Sequence, residues 1–281
     1  MLTNQTKQKL MDLRLPAMAN EYARQLETPD IDALDFDSRF GLLVDTEWLS
    51  RVNNKVKRLL KEANLRDTTA CLANVNYNAA RKLDRGYILR LSSFVWLKEA
   101  RNILITGCTG TGKTWLSCAF GAEACRREVK VGYYRVSRLL NELRASAGDG
   151  SLTKFFNKLK KAELLILDDW GLSMLSPADG LLMMEVLEDR HGLSSTIIAA
   201  QAPVSKWHGL FEDPTLADAV LDRVTSNAYR IELQGPSLRR HIAANEAAYG
   251  GNYHIADGDA ANAGSNQSTT VLESGVENAR E

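Results

Sequence analysis

Residues 101–114 read Arg-Asn-Ile-Leu-Ile-Thr-Gly-Cys-Thr-Gly-Thr-Gly-Lys-Thr, and this stretch constrains the fold more than any other in the chain. The apolar run 103–106 has strand character, enters Gly107-x-x-x-x-Gly112-Lys113-Thr114, and leads at once into a helical segment over 115–126. Glycines let the backbone turn tightly, so that its N–H groups can point inward at phosphate oxygens. The expected phosphate cradle is Gly107, Cys108, Thr109, Gly110, Thr111, Gly112, Lys113, Thr114 and Trp115. In it Lys113 reaches the β- and γ-phosphates, Thr114 is a ligand of Mg²⁺, and the helix N-terminus favours negative charge. A complete pattern in its strand–loop–helix setting implies a nucleoside triphosphate, with ATP and Mg²⁺ as the expected cofactors.

The rest of the C-terminal half fits a sheet around that loop. Strands are predicted over 103–106, 129–134, 164–168, 195–200 and 229–233, with helices over about 113–127, 136–147, 151–161, 176–191 and 216–227. Alternation of this kind predicts an α/β fold with a five-stranded parallel sheet covered on both faces. Ser176-Pro177-Ala178-Asp179 has the signature of a helix start. A last helix is expected from Pro236. Upstream, residues 1–98 predict a small α-helical domain, with Asp37 or Ser38 capping a helix that runs to Leu60 and one further short helix within 81–94. Residues 99–250 form the expected nucleotide-binding domain, and 251–281, rich in Asn, Ala, Gly and Ser, a disordered acidic tail.

Leu164-Leu165-Ile166-Leu167-Asp168-Asp169 carries the second chemical signal. Two carboxylates emerge at the C-terminal end of a buried strand, where open α/β sheets bind ligands. Asp168 is expected to hold Mg²⁺, and Asp169 to polarise the attacking water. Asp169 is one methylene shorter than Glu, and misplacement of about 1 Å costs about a hundredfold in rate, so slow turnover is expected. Gln201, just past a strand, either senses the γ-phosphate or hydrogen-bonds its own loop. Arg223, ending a helix before the last strand, either acts as a finger on a neighbouring subunit's γ-phosphate or pairs with Asp218 or Asp222. Arg239 and Arg240 follow as candidate phosphate contacts in cis, Arg239 ahead of Arg240.

Charge is balanced overall, with 35 Lys+Arg against 35 Asp+Glu, but unevenly placed. Residues 51–98 carry eleven basic residues and three acids, a surplus of eight, which points to a polyanionic partner. Lys55, Lys57, Arg58 and Lys61 form one candidate DNA-binding cluster, and Lys154, Lys158, Lys160 and Lys161 a second. The four cysteines have no C-x-x-C spacing, no apolar run approaches a membrane span, and the N-terminus lacks a signal-peptide core. A reducing cytoplasm is the expected compartment, with no membrane partner.

Taken in order, Gly107-Cys-Thr-Gly-Thr-Gly-Lys-Thr, Leu-Leu-Ile-Leu-Asp168-Asp169-Trp-Gly171, Gln201-Ala-Pro-Val-Ser-Lys-Trp207-His208 and Leu-Asp222-Arg223 resemble the IstB-like ATP-binding proteins. These are transposition helpers of bacterial insertion sequences, AAA+ ATPases near the replicative helicase loaders. The resemblance covers roughly residues 8–248. It implies a homo-oligomer, bridged by ATP and assembled on duplex DNA, that remodels target DNA and recruits and activates a transposase. It places Lys113, Thr114, Asp168, Asp169, Gln201 and Arg223 at the Walker A, Walker B, sensor and arginine-finger positions. Ala199-Ala200 departs from the hydroxyl-bearing residues often found before the sensor. The rival within the same clade is a helicase loader, which favours single-stranded DNA. A rival from another class, a small-molecule kinase, needs an acceptor lid that the region after Asp169 does not offer.

Overall fold

The computed structural model describes residues 2–78 and 81–238. Three helices come first: α1 (Leu2–Asp12), α2 (Pro16–Glu27) and α3 (Phe36–Ala63). The chain turns between α1 and α2 at Arg14, which takes a left-handed φ of 60°. Helix α3 is capped by Asp35, whose carboxylate accepts from the Ser38 N–H at 2.6 Å, and not by Asp37 or Ser38. The true cap lies earlier because Phe36 and Asp37 already have helical geometry. Asn64 ends α3 in the left-handed region, a conformation Asn tolerates.

Short helices α4 (Arg85–Leu91) and α5 (Val95–Lys98) lead into β1 (Asn102–Gly107) and α6 (Lys113–Arg126). Then come β2 (Val131–Arg135), α7 (Val136–Gly148), α8 (Leu152–Lys160), β3 (Leu164–Trp170) and α9 (Pro177–Glu188). The described elements end with β4 (Ser195–Ala200), α10 (Pro214–Thr225) and β5 (Ala228–Leu233). Ser176 caps α9 as its sequence predicts, accepting from Asp179 N at 3.3 Å. Helix α10 starts two residues before the expected position because Asp213 caps it and Pro214 occupies its first turn.

All pairings are parallel, and the strand order is β2-β3-β4-β1-β5. Alternate residues of each strand feed two cores. Ile103, Ile105, Val131, Ile166 and Ile197 face α6 together with Leu59, Ala63, Leu65, Ile88 and Trp96. Leu104, Leu165, Leu167 and Ile198 face α7, α9 and α10. The C-terminal end of α3 and the segment to Trp96 thus share the core of the sheet, while α2 packs against α3 and α1 against α2. Core residues stand on both sides of residue 98, the expected domain boundary. The tail after residue 250, the expected last helix beyond Leu238, Arg239 and Arg240 lie outside the described residues. Cys118 and Cys125 pack in the core as their spacing suggests, and burial pushes their thiols up to about 11 and about 12.

One core feature has no signature in the sequence. The Arg190 guanidinium is 1% exposed and donates to the carbonyls of Leu159, Ala162 and Ser195 and to the Thr196 hydroxyl, at 2.6–3.2 Å. It ties the exit of α8 to the start of β4, and burial lowers its pKa to about 10. Arg190→Ala leaves these buried carbonyls without their donors, so a loss of about 3–5 kcal/mol is expected. Urea unfolding measures it; a loss below about 1 kcal/mol would show that the carbonyls find other partners.

Candidate nucleotide site

The phosphate-binding loop lies between β1 and α6, at the C-terminal edge of the sheet. Gly107, Gly110 and Gly112 have φ of 149°, 85° and 92°. At Gly107 a Cβ would stand 2.2 Å from the Leu233 carbonyl, so a side chain is excluded by contact as well as by conformation. Lys113 Nζ donates to the carbonyls of Gly107 at 2.7 Å and Cys108 at 2.9 Å, which holds the loop as a ring with its ammonium at the centre. Trp115 is half-buried and packs on the core, where it anchors the first turn of α6.

Asp168 is 1% exposed at the end of β3. Its Oδ2 accepts from Thr114 Oγ1 at 2.8 Å and from the Tyr133 hydroxyl at 2.6 Å. Its Oδ1 is buried and has no partner. A carboxylate oxygen left bare beside a hydroxyl at the mouth of a phosphate loop fits a Mg²⁺ site, in which a hard cation takes few protein ligands and completes its shell with phosphate and water. No group of three or more His, Cys, Asp or Glu is gathered for a metal among the described residues.

Asp169 sits at a break in the β3–β4 register between Leu167 and Trp170, with φ 60°. The break turns its carboxylate toward Arg135, whose Nε donates to Oδ2 at 2.7 Å. Gln201 lies beside the loop, its Oε1 accepting from Thr109 Oγ1 at 3.0 Å. Adjacent β1 and β4 bring these two loops together, since Thr106 pairs with Ala200.

Arg223 is elsewhere. It ends α10 at the N-terminal edge of the sheet, where Asn102 Nδ2 donates to the Arg223 and Val224 carbonyls at 3.3 Å. Its guanidinium pairs with Glu188, not with Asp218 or Asp222, and donates to the Ala219 carbonyl at 2.7 Å. The length of β1 separates this edge from the phosphate loop, about 17 Å at about 3.3 Å per residue. That is beyond the reach of one arginine side chain.

Three site residues have no motif of their own in the sequence. Arg81, 6% exposed, donates to the Thr111 carbonyl at 2.7 Å and braces the loop from behind. Tyr133 and Arg135 reach Asp168 and Asp169 because β2 lies next to β3, with Arg135 paired in register to Asp168. The signal for both pairs is the strand order, which is not written locally.

A family model described as IstB-like ATP binding protein matches residues 8–245. The chain belongs to this family. It is 41% identical over 241 residues to an insertion sequence ATP-binding protein of Sinorhizobium fredii, covering 86% of this chain and 98% of that one. It is 42% identical to the IS1162 ATP-binding protein of Pseudomonas fluorescens, over 73% of this chain and 89% of that one. Among solved structures, the DnaC helicase loader is similar at a TM-score of 0.51 and 22% identity, covering 59% of this chain and 97% of that one. AMPPCP-bound DnaA from Aquifex aeolicus is similar at 0.53 and 19% identity, covering 67% of this chain and 58% of that one. These likenesses establish the AAA+ fold. This IstB-like protein is an ATP-binding ATPase of that fold.

The candidate DNA-binding lysines fall in two places. Lys55, Lys57, Arg58 and Lys61 are exposed on α3, but Lys55 pairs with Glu128 at 2.5 Å and Arg58 lies 3.8 Å from Glu62. On α8, Lys160 pairs with Asp189 at 2.8 Å and Lys158 lies over the rings of Tyr134 and Phe155. Lys57, Lys61, Lys154 and Lys161 have no ion-pair partner among the described residues. None of the described helices is long and apolar enough to cross a membrane.

Proposed function

We propose that this IstB-like protein assembles on duplex DNA as an ATP-bridged homo-oligomer, remodels target DNA, and recruits and activates a transposase during DNA transposition. The observation that carries the reading is the position of Arg223. A cation at the far edge of the sheet has no access to its own nucleotide, and a head-to-tail neighbour presents its phosphate loop to that edge. Within one subunit, Lys113 and the loop N–H groups hold the triphosphate, Thr114 and Asp168 hold Mg²⁺, and Asp169 and Gln201 orient water. Mg²⁺, when bound, offsets charge on the β- and γ-phosphates. Arg223 of the next subunit then meets the charge that develops on the γ-phosphate, so ATP favours assembly and hydrolysis releases it.

The exposed basic face of α3 supports DNA as a partner, through phosphate contacts that carry no base preference. The first half of α3 supports a protein partner, since Phe36 and Trp48 are 75% and 61% exposed and Phe36 stacks on Phe40 at 5.9 Å. The relatives are named for insertion sequences, which supports a transposase as that partner. Four free cysteines agree with a reducing cytoplasm. The direct test is size-resolved binding to duplex and single-stranded DNA with ATP, ADP or no nucleotide. Growth of a large complex on duplex with ATP is expected; preference for single strands would favour the loader reading.

The Arg135–Asp169 ion pair gives a second expectation. A carboxylate held by a guanidinium is a weaker hydrogen-bond acceptor for water, so Arg135→Ala is expected to raise steady-state ATP hydrolysis several-fold. A fall of similar size would mean that Arg135 aligns Asp169 instead of restraining it.

A further inference from the structure

A cleft of about 280 Å³, joined to Asp169 through Arg135, opens between the segment that follows α3 and the start of α7. Three guanidinium groups line it, those of Arg66, Arg135 and Arg138, against one lining carboxylate, Glu142. Arg135 spends its Nε on Asp169. Arg66 and Arg138 are exposed and have no ion-pair partner among the described residues. Two unpaired guanidinium groups in one concavity repel each other, and a bound anion relieves that repulsion. The helix adds to the same field, because Arg138 stands in the first turn of α7, where no acid is present and the helix dipole is already positive.

The basic surface continues past the cleft. Tyr134 lines it, and Lys158 Nζ lies 5.6 Å from the centre of the Tyr134 ring. A run of cations along a cleft, with spacing set by side chains just after α3, on α7 and on α8, suits a chain of phosphates better than a single one. We propose that this cleft binds the phosphodiester backbone of a nucleic-acid strand, with Arg66 and Arg138 as its principal contacts and Lys158 as the next. The proposal rests on the DNA-binding reading above and locates part of that contact within the ATPase core, next to the residue expected to orient water. Guanidinium groups match phosphate oxygens in two-donor geometry, so the site reads the backbone and not the bases.

The test compares the full chain with Arg66→Ala/Arg138→Ala and Arg66→Lys/Arg138→Lys on a short fluorescein-labelled duplex and on one of its strands, by anisotropy at several salt concentrations. Far-UV circular dichroism and the unfolding midpoint check the fold, which two exposed side chains are not expected to disturb. Losing two phosphate contacts is expected to weaken binding at least tenfold at low salt and to flatten the salt slope by about 2 on duplex, while the lysine pair keeps most of the slope. Unchanged slope and affinity in the alanine pair, with the parent chain binding well, would overturn the cleft as a phosphate site and leave DNA binding to α3. Failure of the parent chain to bind either probe would overturn the DNA-binding reading itself. A loss shared equally by the lysine pair would also overturn the proposal, since charge would then not be what the cleft supplies.

Discussion

Lys113→Ala is expected to weaken ATP binding by about ten- to a hundredfold, the worth of a charge-assisted hydrogen bond of about 1.5–3 kcal/mol. Hydrolysis is expected to fall further, by at least about a hundredfold, because the ammonium meets charge that grows on the leaving phosphate. The structure gives a reason for the first effect beyond the lost contact. Lys113 Nζ spans the loop between the Gly107 and Cys108 carbonyls, so its removal also frees the ring that aims the N–H groups. Titration of a fluorescent ATP analogue and steady-state phosphate release measure the two losses separately. Retention of both within twofold would show that the loop binds phosphate through its backbone alone.

Arg223→Ala is expected to have the larger effect on turnover, about a thousandfold or more, the usual worth of an arginine supplied to a γ-phosphate from outside the site. Its effect on ATP affinity of the dilute subunit is expected to be far smaller, because the residue stands at the opposite edge of the sheet. Assembly is expected to fail with it. In this structure Arg223 is held by Glu188 and the Ala219 carbonyl, partners it has to leave if the site is shared. Phosphate release at rising protein concentration reads this out. The parent rate is expected to climb with concentration and the Arg223→Ala rate to stay flat.

The five strands and the phosphate loop were legible because each is a local pattern: an apolar run, a glycine spacing, a capped helix start. Ser176 and Asp179 behave as their sequence promises for the same reason. What was not legible depends on which strands become neighbours. Nothing within 164–170 says that Arg135 meets Asp169 or that Tyr133 meets Asp168; the β2–β3 pairing does both. Arg81 escaped for the same reason, reaching Thr111 across thirty residues of chain. Arg190 and its carbonyl partners are a three-dimensional arrangement with no periodicity to betray it. Composition changes near residue 98, while Leu59, Ile88 and Trp96 before it pack in the core of the sheet. Hydrophobic periodicity shows that a face is buried, not which domain buries it.

The central claim is that one active site is built from two subunits, and mixing two inactive variants tests it most directly. Lys113→Ala lacks a working phosphate loop but keeps Arg223; Arg223→Ala lacks the finger but keeps the loop. In an equimolar mixture the interface that joins the intact loop of the Arg223→Ala chain to the intact finger of the Lys113→Ala chain is complete. The account predicts that ATP hydrolysis, nearly absent from either variant alone, returns in the mixture on duplex DNA. A mixture as inactive as its components, with mixed oligomers present by size, would contradict a shared site.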